Sequence, residues 1–378
     1  MDPTPPESET RPEFTPSSAD STVQSINPVE SRPEATTPFE SVPSRSNSLD
    51  ELTHDLTSLH DLSTRGQYQS ILEKISQSKS LSLLTYPHER LTYLTYQIIS
   101  LIKLRRLDEA SHELNSLHDL DGEHYRYETF PEIYPNRKGS IVPFSLRWIH
   151  ALVPIKLGDR QEGLDRLYTL LDFVRERIKV KEAHELWRTR EVFVMSCLLG
   201  FHLGHKEFGV ALELVKELLQ RKPFDPVLVS KLGYVQLQFG DVEGAKATFR
   251  RVEKMGDETP QFKNLVGRNK ALVHVVEKDF VSAVREYEEC IERDSFDVVA
   301  VNNKALCLMY SRDLSDAIKV MESALERVPT VALDESLVGN LCSMYELAYV
   351  NHGDVKKTLN DWIARVAPDD FDSSCTRV

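Results

Sequence analysis

NKALVHVVEKDFVSAVREYEECIERDSFDVVAVN, residues 269–302, runs straight into NKALCLMYSRDLSDAIKVMESALERVPTVALDES, residues 303–336. Set one above the other, the two stretches agree beyond their opening Asn-Lys-Ala. The 34-residue offset carries Ala283 to Ala317, Tyr287 to Met321, Cys290 to Ala324 and Ser295 to Pro329. Upstream, the same offset carries Ala211 to Ala245, Val215 to Phe249 and Leu218 to Val252. Each frame has a small residue, a large one four later, and a small or apolar one three after that. Such spacing lies on one face of a helix. A unit of this length holds two antiparallel helices of about four turns each. Small residues mark the closest helix approach, and large ones fill the gap between neighbouring units.

Thirty-four-residue units of this kind carry the tetratricopeptide (TPR) signature. Weaker frames extend the array towards the N-terminus. Ala151, Gly163, Leu167 and Leu170 fit one; Ile98, Leu101, Ala110, Leu114 and Leu117 fit another; Leu59, Tyr68, Ile71 and Ile75 form a degenerate first unit. Residues 334–349 and 354–366 are expected to pair and cap the open end of the stack. Gly66, Gly158, Gly204 and Gly240 fall between the two helices of their units, where tolerance of positive φ helps the turn. No alternating strand pattern interrupts the series. The expected fold is all-α, an α-solenoid of about seven TPR-like helix pairs over residues 49–378.

Residues 1–48 have a different texture. They hold 9 of the 19 prolines and 16 serines and threonines, with eight acidic residues against three basic ones. Too little apolar surface is present to offset the entropy of ordering, so this tail is expected to be disordered. The start, MDPTPPESET, does not read as a signal or transit peptide. The most apolar stretch, 192–201, falls short of the ~18 residues that span a bilayer. Five cysteines without a C-x-x-C pair argue against a disulfide framework or a zinc site, and for a reducing compartment. The net charge of −13, from 46 basic and 59 acidic residues, disfavours non-specific nucleic-acid binding, which needs a basic footprint. A soluble, cytoplasmic chain is expected.

No motif of catalysis emerges. There is no G-x-G-x-x-G after a strand, no phosphate loop, no G-x-S-x-G elbow and no H-E-x-x-H. His202 and His205 lack a third metal ligand, and Asp119, Asp121, Gly122 and Glu123 lack the remaining ligands of a calcium loop. Cys290 sits at a small-residue position of the repeat, where packing accounts for it. Neither an enzyme activity nor a cofactor is expected.

A binding surface remains. Asn269 with Lys270, and Asn303 with Lys304, stand one repeat apart, with Asn340 as a further step in the last pair. Such a ladder of amides and cations can hold an extended peptide and its terminal carboxylate. It can equally bond neighbouring helices, with solvated lysines. The second candidate is a break in the repeat at 118–144, too long for an ordinary inter-helix turn. In it and just beyond, Tyr125, Tyr127, Tyr134 and Phe144 accompany Arg137, Lys138 and Arg147. Aromatics interleaved with Arg are the composition of an interface hot spot; the same residues can also fold back and plug a groove. A second departure, between Asp172 and Trp187, inserts the charged run RERIKVKEAHELWR.

Tyr134-Pro135-Asn136-Arg137-Lys138-Gly139-Ser140, with Val142-Pro143-Phe144 and Arg147, resembles a characteristic segment of the subunit 12 family of trafficking protein particle (TRAPP) complexes. Leu157-Gly158, Gly163 to Leu167, Val301 to Ala305, Asn340-Leu341, Met344 to Leu347, Asp370-Phe371 and Cys375 are similar to the same family. The likeness covers roughly residues 50–378; animal members carry a much longer N-terminal region. It implies a non-catalytic adaptor of a TRAPPIII-type vesicle tether in ER-to-Golgi traffic and autophagy. Other subunits would perform Rab nucleotide exchange, and subunits 8, 11, 13 and the core would be the partners. Contact with ER–Golgi intermediate and Golgi membranes would be indirect, through the complex, with no obligate homo-oligomer. The rival expectation is a TPR chaperone adaptor that grips acidic C-terminal peptides through the Asn/Lys ladder.

Overall fold

The computed structural model describes residues 56–80, 84–179 and 184–377; the tail read at 1–48 lies outside them. The chain forms antiparallel helix pairs, as the 34-residue register predicts. They are α1 (Leu56–Thr64) with α2 (Tyr68–Ser80), α3 (Pro87–Lys103) with α4 (Leu107–Asn115), α5 (Phe144–Leu157) with α6 (Arg160–Lys179), and α7 (His184–Gly204) with α8 (Phe208–Arg221). Then come α9 (Pro226–Gln238) with α10 (Val242–Glu253), α11 (Pro260–Val276) with α12 (Phe280–Arg293), α13 (Val298–Tyr310) with α14 (Leu314–Arg327), and α15 (Glu335–Ala348) with α16 (His352–Val366). The described residues thus hold eight pairs, where the sequence suggested about seven. Among them, extended pairing amounts to one isolated bridge between Arg126 and Ser140.

The small residues lie where the register put them. Ala110, Ala211, Ala245, Ala283 and Ala317 are fully buried, as are Tyr287 and Met321 four positions beyond the last two. Gly163 takes this place in α6: a Cβ there would come within 2.2 Å of the Ile155 side chain. Larger apolar residues pack above and below these contacts, so each apolar cluster is shared by consecutive pairs.

The first helix of each pair up to α13 ends alike. Gly66, Arg105, Gly158, Lys206, Gly240, Lys278 and Arg312 all have positive φ. The amide of the following residue then bonds back five residues, as from Asp279 to the His274 carbonyl and from Asp313 to that of Leu308, both at 2.9 Å. This is the closure of a left-handed helix cap. Gly204, expected in that role, is instead the last residue of α7, and Lys206 takes the left-handed place.

The last pair packs over the one before it, with Leu337, Leu341, Cys342, Tyr345 and Ile363 buried against Ala305, Ala317 and Met321. Beyond α16 the chain folds back, held by Lys356, whose ammonium bonds the Glu346 carboxylate at 2.8 Å and the Arg377 carbonyl at 2.9 Å. On the way it meets the first two pairs. Asp370 pairs with Lys103 at 2.7 Å, and the Asp369 carboxylate accepts the Gln69 amide of α2 at 3.0 Å. Arg105 lies 3.4 Å from Asp372 and 3.7 Å from Glu335. The array therefore closes on itself through a strip of acidic residues.

Candidate partner-binding surfaces

The break in the repeat is an ordered element. After α4, two 3₁₀ turns (Glu123–Tyr125 and Tyr127–Thr129) lead into a short reversal. There the Tyr127 amide bonds the Gly139 carbonyl at 2.9 Å, and the Ile141 amide bonds that of Tyr125 at 2.8 Å. Leu117, Leu120, Ile141 and Val142 are buried with Leu91, Ile98 and Leu146 of the flanking helices, which docks the insert onto α3 and α5.

Two predicted contact residues prove to be fasteners. Tyr134 is 7% exposed; its ring meets Tyr127 edge-on at 5.0 Å, and its hydroxyl lies 2.6 Å from His88 Nδ1. Burial pushes the His88 imidazolium down. Arg147 is 9% exposed. It donates to the Leu120 carbonyl (3.1 Å), to Asp121 (2.8 Å) and to the Ser140 hydroxyl (3.1 Å), over the Phe173 ring at 4.4 Å. Neither side chain is free for a partner, because each closes the insert against the core. Tyr125 is half-buried, its hydroxyl donating to the Leu117 carbonyl at 3.1 Å. Arg137 and Lys138 stay exposed at the tip, with the Arg137 guanidinium 5.9 Å from the centre of the half-buried Tyr127 ring. Phe144, at the start of α5, lies 4.9 Å from the Arg190 guanidinium.

The Asn/Lys ladder is engaged within the chain. Asn269, 5% exposed, donates to the Ser230 hydroxyl of α9 at 2.8 Å, so its amide is not available to a ligand. Asn340 donates to Asn302 at 2.8 Å, and Asn303 reaches the Tyr287 hydroxyl at 3.4 Å. Lys270 pairs with Glu253 at 2.9 Å, and Lys304 pairs with Glu288. These polar groups stitch neighbouring helices together, the alternative that spacing left open.

Sequence reasoning missed two polar networks. Asn264, 2% exposed, donates to Asp297 (2.8 Å) and to the Cys290 carbonyl (2.9 Å). It accepts from Arg293 (2.7 Å), and Arg268 pairs with Asp297 at 2.6 Å. In the second network, Glu191 receives Arg175 and Arg221, and both arginines also reach Glu217. Burial alone would raise the Glu191 carboxyl, yet the bonds from Arg221 and Arg175 hold it below the usual range. None of these residues recurs at the 34-residue offset with the same partner, so the register gave no signal. His202 is buried between Glu207 (2.6 Å) and the Tyr168 hydroxyl (3.0 Å). Among the described residues, no group of three or more His, Cys, Asp or Glu side chains is placed to hold a metal. Burial pushes the Cys290 thiol up, away from the reactive thiolate.

No family model matches the chain. The human trafficking protein particle complex subunit 12 is 30% identical over 322 residues, covering 79% of this chain and 44% of the relative. The mouse protein of the same name is 30% identical over 301 residues, covering 74% of this chain and 38% of that one. The chain thus spans less than half the length of these curated relatives. Solved structures superpose loosely: the C-terminal part of a TPR repeat-containing protein from Cytophaga hutchinsonii aligns with a TM-score of 0.40 at 13% identity, over 73% of this chain and 96% of that one.

Proposed function

The chain belongs to the trafficking protein particle complex subunit 12 family, and we propose that it is a non-catalytic TPR scaffold within a TRAPP vesicle-tethering complex. In this reading the complex is of the TRAPPIII type and acts in ER-to-Golgi traffic and autophagy. Rab nucleotide exchange falls to other subunits, and this chain contacts the core or subunits 8, 11 and 13. Its association with ER–Golgi intermediate and Golgi membranes is peripheral, through the complex. No helix among the described residues is long and apolar enough to cross a membrane.

The observation that carries the reading is the insert between α4 and α5. A rigidly fastened loop presents two cations, Arg137 and Lys138, that form no ion pair with the described residues, with the half-buried Tyr127 ring 5.9 Å from the Arg137 guanidinium. A surface whose geometry is fixed beforehand loses less entropy on docking. The rival chaperone-adaptor reading draws no such support, because Lys270 and Lys304 of its ladder are already paired with Glu253 and Glu288.

The test is co-expression of the full chain with the other subunits, followed by affinity recovery. Arg137→Glu with Lys138→Glu inverts the exposed tip without touching the core. Because losses of about 2 kcal/mol or more are common at hot spots, recovery of the other subunits should fall at least tenfold. If Lys270→Glu with Lys304→Glu abolishes recovery while the tip pair leaves it intact, the interface lies in the groove and the reading fails.

A further inference from the structure

On α5, α6 and α7, four rings and two half-buried guanidinium groups touch in sequence, with the buried Arg147 guanidinium also against Phe173. Phe193 meets Phe144 edge-on at 6.2 Å. The Arg190 guanidinium stands 4.9 Å from the Phe144 ring and 4.4 Å from Trp187. Trp187 meets Phe173 at 5.9 Å, and Arg177 lies 5.2 Å from Phe173. Phe193 is 42% exposed and the others are half-buried, so the run is open to solvent.

The two arginines are the anomaly. Nearby Arg175 and Arg221 reach Glu191 and Glu217, and Arg147 reaches Asp121. Neither Arg177 nor Arg190 bonds a carboxylate or any other acceptor among the described residues, although the chain has 59 acidic residues to offer. Ring faces hold a guanidinium in plane by about 1–2 kcal/mol when it is partly desolvated, but they take up none of its five N–H donors. Burial between the rings already pushes the Arg190 guanidinium down. A planar fork, oriented and short of acceptors, suits a carboxylate bound through two parallel hydrogen bonds. Phe173 and Trp187 already carry guanidinium groups, whereas Phe193, the most exposed of the four rings, offers a face for an apolar side chain.

We propose that this run is a docking site for an acidic segment of a partner protein, in which carboxylates seat on Arg190 and Arg177 and a neighbouring apolar side chain lies on Phe193. The proposal rests on the scaffold reading and names the chemistry of one partner contact. Charge complementarity selects the occupant. Two separate forks match two separate carboxylates, whereas a phosphate backbone or an anionic bilayer needs a broad cationic patch that two arginines do not make.

The test is fluorescence anisotropy of the full chain with a labelled twelve-residue peptide bearing Glu-Asp pairs on both sides of Leu-Phe. Saturable binding is expected, weakened at least tenfold in Arg177→Glu with Arg190→Glu. It should also weaken, by a smaller factor, in Arg190→Lys, which keeps the charge but loses the fork. Phe193→Ala, with circular dichroism as the check on folding, provides a second route if the double reversal fails to fold; it should weaken binding too. The proposal is overturned by absent binding, by equal affinity for the same peptide with Lys replacing its acids, or by indifference to the variants. Tighter binding of oligothymidylate or of phosphatidylserine vesicles would overturn it as well. Recovery of the other subunits, scored separately with the Arg137→Glu, Lys138→Glu pair, decides the scaffold reading on its own.

Discussion

The two halves of the array solve the same packing problem with different chemistry. From α9 to α15 each helix opens on an Asp or Thr whose side chain accepts an amide of the first turn: Asp225, Asp241, Thr259, Asp279, Asp297, Asp313 and Asp334. Helices α3, α4, α5 and α8 open on Tyr86, Arg106, Pro143 and Glu207, with no side-chain cap. The second half keeps the 34-residue register and uses its polar groups on itself, as Asn269, Asn340, Lys270 and Lys304 show. The first half breaks the register, and a few specific side chains, Tyr134 and Arg147 among them, hold the break after α4. In the regular half the repeat itself supplies the contacts between helices; in the irregular half single side chains such as Tyr134 and Arg147 supply them.

The largest effect should come from breaking the regular half at its closest contact. Ala283→Arg or Ala317→Arg drives a long cation between fully buried helix faces. A buried, unpaired charge costs about 3–5 kcal/mol, a large share of a domain's total stability. Urea unfolding should show the loss. An unchanged midpoint would mean that the register is misplaced, and the contrast between the halves would go with it.

A slightly smaller loss is expected in the irregular half from Tyr134→Ala, because the insert belongs to the core there. Truncating a buried aromatic costs about 3 kcal/mol, whereas Tyr134→Phe, which removes only the hydroxyl bond to His88, should cost about 1 kcal/mol. Thermal unfolding with near-ultraviolet circular dichroism separates the two. If Tyr134→Ala melts like the parent chain, the insert is peripheral after all.

That tyrosine also shows where reading the sequence stops. The register located Ala211, Ala245, Ala283, Ala317, Tyr287 and Met321 correctly, because small-and-large spacing on a helix is a local property that packing repeats. It placed the break at 118–144 and its unusual composition. It could not separate Tyr134 and Arg147, which fasten the insert, from Arg137 and Lys138, which it presents. Which side of a loop faces inward depends on residues far away in sequence, here His88 and Phe173. The turns illustrate the same limit. Glycine is the sequence signal for positive φ, so Arg105, Lys206, Lys278 and Arg312 give none, and the place that Gly204 suggests is filled by Lys206. The closure of Asp369, Asp370 and Asp372 onto the first pairs joins opposite ends of the described array, and no periodicity announces it.

Acid should tell the halves apart with a more modest effect. Burial, with Arg166 beside the ring, pushes His150 of α5 down to about 4. Its folded value lies below the ordinary 6.5, so between those values the unfolded chain binds the proton and the folded chain does not. Stability is therefore intact above about pH 6.5 and declines as the pH falls towards 4. Allowing for partial solvent screening, the decline is on the order of 1 kcal/mol. Urea midpoints at neutral and mildly acidic pH should diverge in the parent chain and converge in His150→Gln. Equal divergence in both would assign the sensitivity to other groups.

The smallest effect concerns the strip where the two ends meet. Lys103 and Arg105 are exposed and Asp370 and Asp372 half-buried, and ion pairs open to solvent contribute about 0–1 kcal/mol each and weaken with salt. Lys103→Ala with Arg105→Ala should move the unfolding midpoint little, since their one contact with those cores is the Lys103 ammonium 5.6 Å from the Tyr68 ring. Local opening is another matter. The Gln69 amide at the start of α2 donates to Asp369, whereas the first amides of a helix have no partner within it. Hydrogen exchange in a peptide covering 66–72 should therefore speed up in the double variant and in high salt, while peptides from α11 to α14 stay unchanged. Asp369→Asn should leave the midpoint alone and accelerate the same peptide. If exchange at 66–72 is indifferent to salt and to all three substitutions, the ends are joined by packing around Gly66 and Pro368, and the closure belongs with the rigid part of the array.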